Sequence, residues 1–255
     1  MRKRTPVTRL CLIVLLVMSV ALSSYGQQRS PTDTVRDFYK AMRERRFREA
    51  FGMSIYKPAI EGLSQQEFDD LLPDFEKMAA AIPDKVDLSG EQISGDSATV
   101  FVKVKEATAD AQAQAEPISL IKVNGAWVVG DRENEAIVKK AGKEFFFTTR
   151  IETHQNDVQD LLKRVTLAQT VYSQQHDGKF ANLAELIAAG LLPKDLEGTD
   201  STGYSFKVNR AADSKSWYAT AEPAQYGRTG KLSFYLDSAG IRSGDAAGQP
   251  LVIKN

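Results

Sequence analysis

The spacing of apolar residues changes from helical to alternating twice along the chain, and this order restricts the fold more than any other feature. Val35, Phe38, Tyr39 and Met42 stand at i, i+3, i+4 and i+7, one stripe of a helix. Ala98, Val100, Val102 and Val104 then alternate with Thr99, Phe101, Lys103 and Lys105, the pattern of a half-buried strand. The helical period returns at Ile151, Val158, Val165 and Tyr172, with Leu161 and Ala168 between them, and strand-like runs return at 204–208, 217–221 and 232–236. Helices followed by strands, twice over, specify α+β with antiparallel sheets rather than alternating βαβ units. At 255 residues the chain accommodates two modest domains once a leader is removed.

Local signals sharpen this outline. Ser30, Pro31 and Asp33 read as an N-cap, a first-turn proline and an acidic third position, so a helix is expected to start there. Phe47, Ala50 and Phe51 predict a second, short helix, and Ser64 with Glu67 starts a third. Its stripe runs through Leu71, Phe75 and Met78, but Pro73 inside it predicts a break or kink. Asn124 and Gly125 between the apolar runs 118–123 and 127–129 predict a two-residue hairpin. Residues 107–115 alternate Ala with small polar residues and are read as a flexible hairpin tip. In the second half the long helix is expected to end near Gln175, before Asp177 and Gly178. Asn182 and Glu185 start another helix that Gly190 and Pro193 stop. His154 interrupts the apolar seam, which favours packing on a sheet over a coiled coil.

The first 26 residues read as a secretory signal peptide. Arg2, Lys3, Arg4 and Arg9 precede an apolar run at 10–22 and the small residues Ser24 and Gly26. Thirteen helical residues rise about 20 Å against a hydrocarbon thickness of roughly 30 Å, so cleavage is expected, before Gln27 or a few residues earlier. An uncleaved inner-membrane anchor is the alternative. Cys11 lies at the start of the apolar run, the wrong end for a lipoprotein, and it is the single cysteine. Its removal leaves no thiol and no disulfide, which suits a bacterial periplasm. The expected location is therefore periplasmic or secreted, without a permanent membrane span after cleavage. The 33 basic residues balance 33 acidic ones, so no basic nucleic-acid footprint exists.

Residues 34–42 (T-V-R-D-F-Y-K-A-M), residues 46–51 (R-F-R-E-A-F) and the terminal hairpin to Trp127 resemble the nuclear-transport-factor-2-like superfamily, in particular its bacterial envelope branch. That resemblance implies a curved antiparallel sheet wrapped round helices into a cone, with a pocket used by some members for isomerase or dehydratase chemistry and by many for binding alone. From residue 168 to 242, the blocks A-Q-T-V-Y, G-K-F-A-N-L-A-E-L, G-Y-S-F, Y-A-T-A-E-P and G-K-L-S-F-Y-L-D-S-A-G-I-R resemble the globular heads of type IV pilins and type II secretion pseudopilins. This implies a long helix on an antiparallel sheet. The filament-forming apolar half-helix of that family is missing, since Phe145, Phe146 and Phe147 are the one apolar run in the polar stretch 139–155. The expected organisation is a signal peptide at 1–26, a cone domain at 27–135, a charged linker at 136–147 and a pilin-like head at 148–255.

No H-E-x-x-H, G-x-S-x-G, Walker A or dinucleotide glycine motif occurs, and Cys and His show no metal spacing. An enzyme is not expected, and neither is a cofactor. Phe38, Tyr39, Phe51, Tyr56 and Trp127 are the candidates for a ligand cavity, although aromatic stripes at helix spacing normally fill a core. The pseudopilin resemblance brings Asp237 and Asp245 into the territory of a calcium loop, and Asp195, Glu197 and Asp200 form another acidic group. Neither has the alternating oxygen ligands of such a loop, and turn chemistry accounts for both. Asp69, Asp70, Asp74 and Glu76 read as a solvated helix face, and the arginines at 43–48 are offset by Glu44 and Glu49. The expected function is an exported, non-enzymatic envelope protein that binds a small apolar ligand or another envelope protein. The alternatives are an accessory factor of a type II secretion or type IV pilus system, and a cone-cavity isomerase or dehydratase.

Overall fold

The computed structural model describes residues 29–83, 85–103 and 115–251. The leader with Cys11, and the expected tip at 107–115 apart from Ala115, lie outside them. Helices and antiparallel strands make the chain α+β, divided into two compact units, Met1–Lys140 and Ala141–Asn255.

Unit 1 begins with helix α1 (Pro31–Arg43), whose N-cap Ser30 accepts from the Asp33 amide. Helices α2 (Phe47–Gly52), α3 (Lys57–Glu61) and α4 (Gln65–Ala80) follow, and α4 starts with a complete capping box of Ser64 and Glu67. Pro73 does not break α4, contrary to expectation. The helix continues to Ala80 because Leu71 and Phe75, on either side of the exposed proline, are buried and hold the turn in place. Phe75 is a hub: Phe51, Phe47 and Phe68 lie 5.0, 5.7 and 5.7 Å from it by ring centroid. Tilted rings at such distances add to the area they bury.

The sheet of unit 1 runs β1 (Asp87–Ser94), β2 (Ser97–Lys103), β3 (Ala115–Val123), β4 (Ala126–Val129) in sequence order, all antiparallel. Asn124 and Gly125 join β3 to β4 with φ of 50° and 83°, the two left-handed positions of a two-residue turn. Ala98, Val100, Val102 and Leu120 face inward and pack with Val35 of α1 and Trp127 of β4. Strand β1 was not expected, because only Leu88 in it is even partly buried. It forms by pairing with β2, with an irregularity at Ser89, and its Glu91 accepts from both the amide and hydroxyl of Thr32, tying the sheet edge to the start of α1. The unit closes with α5 (Arg132–Ala141), where Glu135 is buried between Arg132 and Lys139.

In unit 2, a short 3-10 turn (Gly142–Glu144) leads into α6 (Phe145–Gln175), 31 residues and about 46 Å long. Val158, Leu162, Val165 and Ala168 of α6 form one core with the inner face of a second antiparallel meander: β5 (Tyr204–Arg210), β6 (Trp217–Pro223), β7 (Leu232–Asp237) and β8 (Gly240–Asp245). The strand β8 is a fourth, beyond the three expected; its sequence G-I-R-S-G-D carries too little apolar alternation to announce it. The seam also contains polar anchors. His154 donates from Nδ1 to the Thr229 carbonyl at 2.9 Å, and Gln155 Oε1 accepts from the Lys231 and Leu232 amides. Buried Gln169 bonds both the amide and the carbonyl of Ala181. That second staple holds the chain just before α7 (Leu183–Ala188), which starts with the Asn182–Glu185 capping box. Tyr204 is fully buried, bonds the Leu232 carbonyl and fills the space beside Gly230, where any side chain would collide with its ring.

Candidate functional site

Two cavities in unit 1 are the strongest candidates, and each opens where a helix stops. The larger, about 480 Å³, lies where α2 ends at Gly52. The next segment is pinned: the Val129 amide donates to the Met53 carbonyl and the Ile55 amide to the Val129 carbonyl, both at 2.9 Å, so residues 53–55 run alongside β4. The floor is then Met53 with Val123, Trp127 and Val128 of the β3–β4 hairpin. Arg29 and Lys57 add two cations, and no carboxylate is among the described lining residues. Arg29 also touches the Met53 sulfur at 3.3 Å, and Lys122 lies 5.1 Å from the Trp127 ring centroid.

The smaller cavity, about 260 Å³, lies past the end of α4, against Ile82, Pro83 and Val102, with Tyr39, Lys85, Lys103 and Glu116 as its polar groups. Burial, reinforced by the Glu116 charge, pushes the Tyr39 phenol above its ordinary value. It therefore keeps its proton in neutral water and can donate a hydrogen bond. Glu116 is exposed.

The five aromatic candidates do not share one cavity. Tyr39 lines the smaller and Trp127 the larger, and the other three line neither. Phe51 is completely buried beside Phe75, Tyr56 meets it edge-on at 6.0 Å, and Phe38 packs edge-on against Tyr39 at 5.7 Å. The phenol of Tyr56 is also pushed up, by burial first and the charge of Asp131 second. Arg29, Gly52, Met53 and Lys57 had no sequence signal: they share no period, and only the folded chain brings them together.

The calcium alternative meets a geometric obstacle. Asp237 pairs with Gly240 at one end of the β7–β8 hairpin and Asp245 with Leu232 at the other. Five residue steps along β7 separate the two pairs, roughly 16 Å. Each carboxylate already closes its own turn, Asp237 accepting from the Ala239 amide and from Arg242, and Asp245 from the Ala247 amide and the Tyr226 hydroxyl. The Ala247 amide, then the Tyr226 hydroxyl, hold Asp245 below the usual carboxylate range. No group of three or more His, Cys, Asp or Glu able to hold a metal occurs among the described residues. Of the acidic face on α4, Glu76 faces Arg45 at 3.6 Å. In the arginine-rich stretch Arg46 is held by Glu44 and Glu49, and Arg48 lies over Phe68. The acidic group at 195–200 gathers no ligand set either.

Unit 2 carries a surface feature of another kind. Tyr218 and Tyr235 stack at 5.6 Å with planes 8° apart, and Arg242, paired across the strands with Tyr235, covers that ring at 4.9 Å. Alternation along β6 puts Tyr218, Thr220 and Glu222 on this same outer face, away from α6. Glu222 Oε1 and Arg242 Nε are buried without a hydrogen-bond partner. Among the described residues no helix is long and apolar enough to cross a membrane. No family model, no curated protein and no solved structure matches this chain.

Proposed function

We propose that the protein is an exported bacterial envelope protein that binds rather than catalyses, with a nuclear-transport-factor-2-like cone as its ligand-binding part and a pilin-like head as its docking part. The observation that carries this reading is the 480 Å³ cavity floored by Met53 and Trp127. Its volume falls within the range of small-molecule sites, about 300–1,000 Å³, and its wall is apolar with a few polar groups. Arg29, Lys57 and Asn124 can orient a ligand. The described lining contains no carboxylate and no histidine, so it favours binding over proton transfer. Helices on one side of a meander that ends in an Asn-Gly hairpin support the cone; a 31-residue helix lying on a four-stranded meander supports the head.

Native mass spectrometry of the protein gently extracted from its host tests the reading, with denatured protein as the mass reference. A retained small-molecule mass that disappears in Gly52→Leu is the expected result. A bare chain mass in both proteins would remove ligand carriage as the function.

The Tyr218–Tyr235 stack, with Tyr218 exposed and Tyr235 half-buried, favours a second reading, an accessory factor of a type II secretion or type IV pilus system recruited through the head. Copurification with pseudopilins, lost in Tyr218→Ser, would support it; unchanged secretion and piliation after deletion of the protein would sink it. The isomerase or dehydratase alternative would use the Tyr39 cavity. It is weaker because Glu116, the carboxylate there, is exposed rather than enclosed by apolar groups.

A further inference from the structure

We infer that the cavity beside Trp127 selects an amphipathic anion, a carboxylate on an apolar chain, and holds its head between Arg29 and Lys57. The inference rests on the binding reading above and adds the ligand class. Three observations carry it. The described charged groups on the wall, Arg29 and Lys57, are both cations, and Lys122 adds a third positive charge against the ring of Trp127. Met53, Val123, Ala126, Trp127 and Val128 supply apolar groups to the lining beside them. The existing partners of the two cations are weak: Arg29 meets Asp37 at 3.4 Å and Lys57 meets Glu61 at 3.8 Å, and all four side chains are at least 41% exposed. Exposed ion pairs contribute little in water, so each cation can turn to a ligand carboxylate at small cost, and a guanidinium can grip it with two parallel bonds.

Gly52 lies on the wall, and a Cβ added there meets nothing within 4 Å. Its backbone φ is not in the left-handed region, and it ends a helix. A Cβ is therefore accepted at this lining position without displacing the protein around it, so Gly52→Leu is the variant that probes the cavity while keeping the fold.

The test titrates the full chain with octanoate, octanol and octylamine by calorimetry. Emission of Trp127 is followed in a Trp217→Phe background, since these are the two tryptophans. Octanoate is expected to bind at least about tenfold more tightly than octanol, with octylamine weakest, and the preference should shrink as salt is raised. In Arg29→Gln/Lys57→Gln, octanoate should fall to the level of octanol while octanol is unchanged. Gly52→Leu should weaken both by about tenfold or more, with the far-ultraviolet spectrum and melting temperature retained. If octanol or octylamine binds as tightly as octanoate and Gly52→Leu still blocks binding, the anion class is overturned and the cavity stands. If none of the three binds, or Gly52→Leu changes nothing, the cavity itself is overturned as a ligand site.

Discussion

Unit 1 and unit 2 use the same parts, a four-stranded antiparallel meander with helices packed on it, yet they divide the helical part differently. Unit 2 lays one uninterrupted 31-residue helix on its sheet and bolts it down with His154, Gln155 and Gln169. Unit 1 splits its helices into short pieces around an aromatic hub, and its two candidate cavities open at Gly52 and past Ala80, where α2 and α4 stop. The lesson is about continuity. A long helix presents unbroken ridges to the sheet it packs on, whereas at the ends of α2 and α4 the neighbouring side chains leave space unfilled.

That contrast can be broken first by emptying each core. Phe75→Ala removes the hub of unit 1 and is expected to cost about 3–5 kcal/mol, and Leu162→Ala in unit 2 about 2–5 kcal/mol. Trp127 reports on unit 1 and Trp217 on unit 2, so urea unfolding of single-tryptophan proteins reads the two losses separately. A Phe75→Ala protein with an unshifted Trp127 transition would contradict the hub.

A smaller effect, particular to unit 2, comes from its polar staples. Gln169→Leu leaves the amide and carbonyl of Ala181 buried without partners and should cost roughly 2–4 kcal/mol. Equality with an exposed control such as Gln174→Leu would show that the staple is dispensable. The two capping boxes allow a like-for-like comparison at lower energy. Ser64→Ala and Asn182→Ala should each cost about 1 kcal/mol, since both remove the acceptor of a first-turn amide.

The smallest effect is in acid. Hydrogen bonding to Lys139, then Arg132, holds Glu135 below the usual carboxylate range; Arg210, then the Asn182 amide, does the same for Glu185. A depressed folded-state value means each contributes stability above its unfolded pKa of about 4.3 and loses it as the pH falls through the folded value. Glu135→Gln and Glu185→Gln should therefore flatten the acid limb of stability below about pH 4.3 and leave the slope between pH 6 and 8 unchanged. A slope altered near neutrality would point to a different titrating group.

What could be read in advance was local. Ser30, the Ser64–Glu67 and Asn182–Glu185 boxes and the Asn124–Gly125 turn are short-range chemistry, in which a side chain meets a backbone group a few residues away, and each forms as expected. The seam of the long helix was legible for the same reason, since its apolar period repeats for about six turns from Ile151 to Tyr172, although Leu162 rather than Leu161 is the residue fully buried there. Strand β1 was hidden because all its side chains but Leu88 stay in water, so that pairing with β2, the Leu88 contact with the core and the Glu91–Thr32 contact make it a strand. Pro73 misled because its local preference was outweighed by burial of Leu71 and Phe75. Among the cavity candidates Tyr39 and Trp127 line cavities, whereas Phe51 serves the core; aromatic spacing is identical for both roles, and neighbours from distant segments settle which one applies.

By itself, then, the sequence determined the α+β class and the succession of helical and strand regions, though not every strand, because periodicity and capping act over a few residues. Tertiary structure alone decided where the space is. Arg29, Gly52, Lys57 and Trp127 are separated by up to 98 positions and become one wall only when the 53–55 segment pairs with β4. A cavity is what packing leaves unfilled, a property of the sum of many side-chain volumes that no local pattern records.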